Sequence, residues 1–389
     1  MARFIHAHAT HPDAFMALAL AAAQIDAQLA TPLWAEGPRP TLGWVYFSEL
    51  FAGQAQPLLE ELRQRWPGLA WVGCSAVGLC ATGVEYFDEP ALVLQVCDLP
   101  RDQWRVFSGV RPLGHWPAAT LQLHADGGTP ELQELITELA GRSQDHYLFG
   151  GLVSGREQTL QLADGVFSGG FSGLALGPQV ALVSRVSQGC QPLGPERRIS
   201  ACEGGLLLEL DGRPALDCLL EDLGLPAASN QAALRGLLPR LRNTLAGLRH
   251  EREARRPGYG AEIRVRHLLG VDPARRAVAV AERLESGDAL SFCVRDAEAA
   301  RRDLLRICTE IRAEAEDREQ RMAGALYFSC AGRGGPHFGA PSAELQWVRH
   351  ALGDLPLAGF FAAGEIAHDK LYGYTGVLTV FLSPAEGAR

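Results

Sequence analysis

The sequence predicts a mixed α/β (α+β) protein of two domains, and three observations carry that expectation. The 389 residues exceed what one hydrophobic core usually serves, so about two domains are expected. Helix-like and strand-like apolar periodicities alternate along the whole chain, which is the pattern of an α/β or α+β protein. A repeated unit of strand, helix, strand, glycine loop and strand stands near both ends of the chain.

In the first copy, Val45-Tyr46-Phe47-Ser48 is followed by a loop, the helical "PLLEELRQRWPG", then "LAWVGCSAVG" and the strand "ALVLQV" from Ala91. In the last copy, Leu326-Tyr327-Phe328-Ser329 leads through a glycine loop to "SAELQWVRHALGD", "LPLAGFFAAG" and "GVLTVFL" from Gly376. A middle stretch shares the second half of the unit: "PELQELITELAG", "HYLF", "GGLVSG". The three glycine loops have one spacing, Gly73 to Gly78, Gly150 to Gly155 and Gly359 to Gly364.

Ahead of these units, Thr10-His11-Pro12-Asp13 reads as a helix-capping signal. Phe15, Leu18, Ala22, Ile25 and Leu29 keep a helical stripe beyond it. The stretch is therefore read as an amphipathic helix rather than an export signal, and no apolar run reaches transmembrane length. Between the outer units, "GLLLELDGRPALDCLLEDLG" reads as a strand, a turn at Asp211-Gly212 and a helix from about Pro214. "IRVRHLLGVDPARRAVAVAERLESGDALSFCVRD" reads as strands joined by turns, and "AEAARRDLLRICTEIRAEAEDREQRMAG" as a long helix. Glycine and proline in "SQGCQPLGPERR" mark the seam. The expected division is residues 1–197, with a repeat core over about 42–186, and residues 198–389.

Composition excludes several functions. The net charge of -9, with one lysine among 36 basic residues, gives no basic footprint for nucleic acid. The arginine-rich stretch 240–256 also holds Glu251 and Glu253 and reads as a solvated helix face. Nine cysteines lie scattered without C-x-x-C spacing, which suits reduced thiols in a cytoplasmic protein. His6 and His8 would share one strand face, but no further ligand completes a metal site.

The glycine loops are not P-loops, because Leu79-Cys80, Arg156-Glu157 and Glu365-Ile366 stand where lysine and a hydroxyl residue belong. The loop from Cys330, with glycines at 332, 334, 335 and 339, offers a thiol next to backbone N–H groups. A nucleophilic role there needs a base such as His337 or His368. Glu49 stands at the place of Cys330 in the first unit, so the shared architecture does not require a thiol. Arg333 and Glu365 suggest two further readings: a cleft holding the acid and amine of a zwitterion, or an ion pair between two loops. Lys370 reads as a turn residue, and Tyr372 and Tyr374 as neighbours on one strand face.

"LAGFFAAGEI", "YFSCAGRG", "SQGCQPLGP" and "ELDGRPALDCLLEDLG" resemble the FIST proteins (F-box and intracellular signal transduction), over nearly the whole chain from Leu42 through Leu382. The first loop departs from that pattern, with Leu79 in place of the expected glutamate. The resemblance implies FIST N-terminal and C-terminal domains in a bacterial sensory protein that binds a small ligand, amino acids among them. Such a protein signals to a separate histidine kinase, cyclase or chemoreceptor, and acts on neither nucleic acid nor membrane. Some relatives are similar to haem-binding nitric oxide sensors; a non-covalent haem here would need Cys330, His337 or His368 as axial ligand. The expected ligand site gathers the glycine loops. It comprises Cys330, Gly332, Arg333 and Gly334; Gly359, Gly364, Glu365 and Tyr372; Gly150, Gly151 and Ser154; and Gly73 and Ser75. The other readings are a thiol-dependent hydrolase or transferase using Cys330 and a non-catalytic scaffold for protein contacts.

Overall fold

The structure, a computed structural model, describes residues 2–226, 243–249 and 264–385. Its mixed α+β content fits the class expected from sequence, and the chain forms two units, residues 1–187 with 301–389 and residues 188–300. The seam near residues 187–198 marks where the chain first leaves the larger unit. The expected division at 197/198 misses the second crossing. Residues 301–389 return to the first unit because their strands and helices share its sheets and cores.

Three six-stranded sheets build the first unit, and all three have the same order. Each centres on two parallel strands joined by a helix. These are Leu42–Ser48 and Ala70–Ala76 with Ala55–Arg65, Thr120–Ala125 and Tyr147–Leu152 with Leu132–Gly141, and Gln320–Cys330 and Leu357–Ala362 with Ala343–Leu352. An antiparallel strand lies beside each pair: Ala91–Cys97, Phe171–Leu176 and Gly376–Pro384. Between the second parallel strand and this return, the chain extends a hairpin that joins a different sheet. Gly78–Ala81 pairs with Leu357–Ala362, Gln161–Ala163 with Ala70–Ala76, and Glu365–His368 with Tyr147–Leu152. The sheets are thereby laced together in a cycle.

Strand alternation divides each sheet into two apolar faces. One face packs under helices. Leu58, Leu59 and Leu62 join Val45 and Phe47, and Leu345 and Val348 join Ala325 and Tyr327. The N-terminal helix Ala14–Leu29 covers Ile5, Ala7 and Ala9, and the Asp13 side chain caps it by accepting from the Met16 N–H at 2.9 Å. The opposite faces meet in an aromatic centre. There Tyr46 lies 5.6 Å from His124 and 5.4 Å from Phe360, which is 5.4 Å from Phe328.

The leading glycine of each spaced pair has a backbone reason. Gly73, Gly150 and Gly359 lie opposite Val45, Leu123 and Tyr327 in the parallel ladders. A Cβ would stand 1.8, 2.0 and 1.7 Å from the carbonyl oxygens of those partners. Only a residue without a side chain lets the strands approach so closely. The same register corrects the sequence comparison by one residue: Val45 corresponds to Tyr327, and Cys330 to Ser48 rather than Glu49.

The second unit is an antiparallel sheet that closes on itself. From Cys190–Pro192 the order runs through Ala289–Arg295, Arg197–Glu203, Leu206–Leu210, Ala277–Val280 and Arg264–Asp272 to Thr244–Arg249, which pairs back onto Ala289–Arg295. The helix Ala215–Asp222 packs on its core through Leu216, Leu219 and Leu220, and Arg197 pairs with Asp222 at 2.6 Å. In the arginine-rich stretch 240–256, residues 244–249 form a strand rather than a helix, and residues 240–242 and 250–256 lie outside the described residues. Tyr374 has a left-handed backbone, φ 62°, and leaves the strand that ends at Tyr372, so the two tyrosines do not share a strand face. Among the described residues no helix is long and apolar enough to cross a membrane.

Alanine at Gly359 is expected to cost about 3 kcal/mol or more, or to prevent folding, because the clash is with backbone. At Gly364 a Cβ meets only the flexible ends of Leu152 at 3.1 Å and Leu371 at 3.2 Å. Alanine there should cost less than about 1 kcal/mol in a urea titration. Equal costs at the two positions would refute the close-approach account.

Candidate functional site

Side chains two apart on a strand share a face, so Tyr327 and Ser329 both point to the helix Ala343–Leu352. There Glu344, fully buried, accepts from Tyr327 Oη at 2.7 Å and Ser329 Oγ at 2.8 Å. Arg333 completes the set, donating from Nε at 2.9 Å and Nη2 at 2.5 Å to the same carboxylate. Its Nη1 donates to Ser187 Oγ at 2.9 Å, and the side chain is 2% exposed. The expected pairing of Arg333 with Glu365 is therefore corrected: the guanidinium is spent on Glu344 and Ser187 and braces the loop.

Glu365 is fully buried and accepts through Oε2 from the Thr375 N–H at 3.1 Å and Oγ1 at 2.7 Å. Its Oε1 accepts no hydrogen bond from a nitrogen or hydroxyl, and the Cys330 thiol is close enough to act on the carboxyl. Burial pushes both groups up, and the neighbouring Glu365 raises Cys330 further. Cys330 is accordingly a protonated thiol at neutral pH. His368 lies three residues along from Glu365 in the ladder with Tyr147–Leu152, about 10 Å away at strand spacing. Its ring sits edge-on 4.7 Å from that of Tyr147.

Of the remaining expected ligand groups, Gly151 and Tyr372 stand directly opposite Glu365 on the strands either side of it, and the hydroxyls are bonded to backbone. Ser75 Oγ accepts from the Leu160 N–H at 3.0 Å; Ser154 Oγ accepts from the Val77 N–H at 3.1 Å and donates to the Phe361 carbonyl. A Cβ at Gly151 would meet Ala362, and one at Gly334 would meet the Phe87 ring. Tyr372 is buried opposite Glu365, and Gly332 is exposed. None of the thirteen residues lines any of the three cavities described below, and Cys330, His337 and His368 line none either. The residues present therefore do not fit a haem in these cavities. His6 and His8 do share a face, with His8 Nδ1 2.6 Å from Tyr86 Oη; among the described residues no cluster of three or more metal-ligating side chains forms.

The glycine-rich loop after Cys330 does border a cavity. A pocket of about 270 Å³ is enclosed by Gly335, Gly339, Ala340, Pro341 and Ser342 on one side and Glu85, Phe87 and Glu89 on the other. Its lining residues carry two carboxylates and no basic side chain. Glu85 Oε1 accepts from the Leu345 N–H at 3.2 Å, and the Glu85 N–H donates to Ser342 Oγ at 3.0 Å. The pocket wall thus caps the helix that bears Glu344. Burial, with the nearby Glu344 carboxylate adding to it, raises Glu85 to about 7. The sequence reading missed both glutamates. The signal for Glu344 was the pair of hydroxyls, Tyr327 and Ser329, on one face of an otherwise apolar strand. Two other cavities are a shallow one of about 320 Å³ around Arg197, Arg198 and Arg249, and an open groove of about 660 Å³ bordered by Arg3, Trp34, Arg312 and Asp354.

Family models match in two adjoining segments, the FIST N domain over residues 41–213 and the FIST C domain over residues 215–368. An uncharacterized protein of Mycobacterium tuberculosis strain H37Rv is 34% identical over 396 residues, covering 96% of this chain and 98% of its own. An uncharacterized protein of Mycobacterium bovis is 33% identical over 400 residues, covering 97% and 98%.

Replacing Arg333 with methionine takes the cation from the buried Glu344 carboxylate, so a loss of about 3–5 kcal/mol is expected in chemical unfolding. Unchanged stability would contradict the brace.

Proposed function

The chain belongs to the FIST family, whose domains are associated with signal-transduction sensing and small-ligand binding, and from that premise we propose that it is a non-catalytic sensor taking a small amine-bearing ligand, an amino acid, in the pocket between Glu85 and the loop 335–342. One observation carries the reading: a cavity of about 270 Å³ holds two carboxylates, one of them half-titrated near neutral pH. That volume lies just below the roughly 300–1,000 Å³ of drug-sized sites, which suits a small metabolite. A carboxylate offers about four acceptor sites, and backbone N–H groups of residues 344 and 345 engage Glu85 from the helix side. The remaining sites suit an ammonium group, whose charge would offset the repulsion between Glu85 and Glu344. Gly335 and Gly339 present backbone to the opposite wall, where the ligand's carboxylate would lie.

The signal on this reading begins at the helix Ala343–Leu352, because Glu85 caps it and its first turn holds the ion pair to Arg333. Occupancy of the pocket changes the charge at that cap. A separate signalling protein, such as a histidine kinase, a cyclase or a chemoreceptor, would read the change.

Titration calorimetry against the twenty amino acids tests the proposal. Because only ionised Glu85 attracts the amine, affinity should rise about tenfold from pH 6 to pH 8 as the carboxyl loses its proton. Glu85→Gln should weaken binding at pH 8 by at least about tenfold and flatten the pH dependence. The same variant should be more stable than the parent above pH 7: the raised carboxyl stabilises the fold below about 4.5, its unfolded value, and that contribution is lost as pH rises through about 7. Absence of binding by any amino acid, or full-strength binding by Glu85→Gln, would sink the reading.

A further inference from the structure

The chain begins the second unit on the short strand Cys190–Pro192 and approaches its end on Ala289–Arg295, and these two strands pair antiparallel. Cys190 stands opposite Arg295, and Cys293 opposite Pro192. Cys293 is thus two residues from the direct partner of Cys190, which places both side chains on one face of the sheet. The two thiols are near enough there for Cys190 to act on Cys293, whose thiol also donates to the Leu245 carbonyl at 3.7 Å.

Seven of the nine cysteines are buried, and only Cys190 and Cys202 are partly exposed. An oxidant therefore reaches the pair from the Cys190 side, while Cys293, 2% exposed, waits behind it. The contact with Cys190, with burial added, holds the Cys293 thiol well above its ordinary range. Cys190, the partly exposed thiol of the two, is the one an oxidant meets, and the thiolate is the form that reacts. Its strand spans three residues, stands at one end of the sheet order and pairs with Ala289–Arg295. Such an edge can move to bring the neighbouring sulfurs to the roughly 2.05 Å of a bond.

We propose that Cys190 and Cys293 are a redox-responsive thiol pair, which a peroxide converts to a disulfide joining the first strand of the second unit to its last. The Cys190 thiolate attacks one peroxide oxygen and becomes the sulfenic acid as the O–O bond breaks. The hydroxide released takes the proton that Cys190 lost and leaves as water. The Cys293 sulfur then attacks the sulfenic sulfur. The S–S bond forms, the S–O bond breaks, and the hydroxyl leaves as a second water with the Cys293 proton. Two thiols are oxidised by two electrons, and one hydrogen peroxide is reduced to two waters. The partner buried behind Cys190 keeps its oxidation on the reversible branch, because the sulfenic acid meets a thiol before a second peroxide.

The test treats the full-length reduced protein with excess hydrogen peroxide, blocks the remaining thiols after denaturation, and maps peptides without reduction. A linked Cys190–Cys293 peptide pair is expected, lighter by two hydrogens, restored by dithiothreitol and absent from Cys190→Ser. In Cys293→Ser the sulfenic acid has no resolving thiol, so Cys190 should gain two oxygens as the sulfinic acid. If Cys293→Ser fails to fold, partly exposed Cys190→Ser carries the test alone, and every cysteine in it should remain unlinked. Recovery of Cys190 and Cys293 unlinked after peroxide, or of a link between any other cysteines, overturns the proposal.

Discussion

The buried carboxylate of Glu344 is the interaction on which the candidate site depends. An ionised carboxylate out of water is costly unless its oxygens are hydrogen-bonded and its charge is matched. Here Tyr327, Ser329 and Arg333 supply all of that, from the end of a strand and the loop just beyond it. The strand is anchored to the helix, and the loop is anchored to Ser187 on an outer strand of the same sheet. The loop's path is therefore set by an ion pair, and the pocket wall at residues 335–342 inherits that path. The same charge reaches the neighbouring Glu85, which caps the helix, and raises it. One buried acid both shapes the cavity and tunes its polar group.

The second constraint is the exchange of hairpins among the three sheets. Each hairpin leaves the strand pair that precedes it and completes another sheet. No sheet is therefore complete without chain that is distant in sequence, and Glu85 reaches its place beside Ser342 only through such a crossing. Contacts of this kind demand long loop closures before they stabilise anything, which favours cooperative and comparatively slow folding. Among the unpaired buried atoms, His124 Nδ1 and Ser172 Oγ belong to directly opposed residues of one ladder. Burial holds the His124 imidazole neutral, its value lowered to about 3, where Gln122 Nε2 lies 2.9 Å from its other nitrogen.

Local signals were legible in the sequence, and long-range pairing was not. Asp13 and the apolar stripe after it announced the first helix, and the turn at Asp211 announced the helix that follows it, since caps and turn residues act within a few positions. The G-x-x-x-x-G spacing was visible, but its leading glycines answer to the facing carbonyls of Val45, Leu123 and Tyr327, which periodicity cannot reveal. The alignment of Tyr-Phe-Ser slipped by one because similar letters outweighed a register that only the ladder sets. Glu344 looked like any charged residue of an amphipathic helix. Its role depends on the hydroxyls of a strand that ends twelve residues or more before the helix begins.

Cys330 shows how one motif can suggest a chemistry that its surroundings oppose. A thiol after a strand, facing glycine N–H groups, is where a nucleophile elbow would place its reactive atom. Activation, however, needs a neighbouring positive charge or a base that becomes one. The titratable group set against this sulfur is Glu365, a carboxyl that burial itself inclines toward the neutral form. An acid and a thiol that both favour their protons can share a dry site at little electrostatic cost, whereas a thiolate would face both burial and a neighbouring carboxylate. Arg333, the one cation near enough to reverse this, is committed to Glu344. The arrangement that holds the loop in place also keeps its cysteine protonated, and on the reading proposed above recognition falls instead to the carboxylates of the neighbouring pocket.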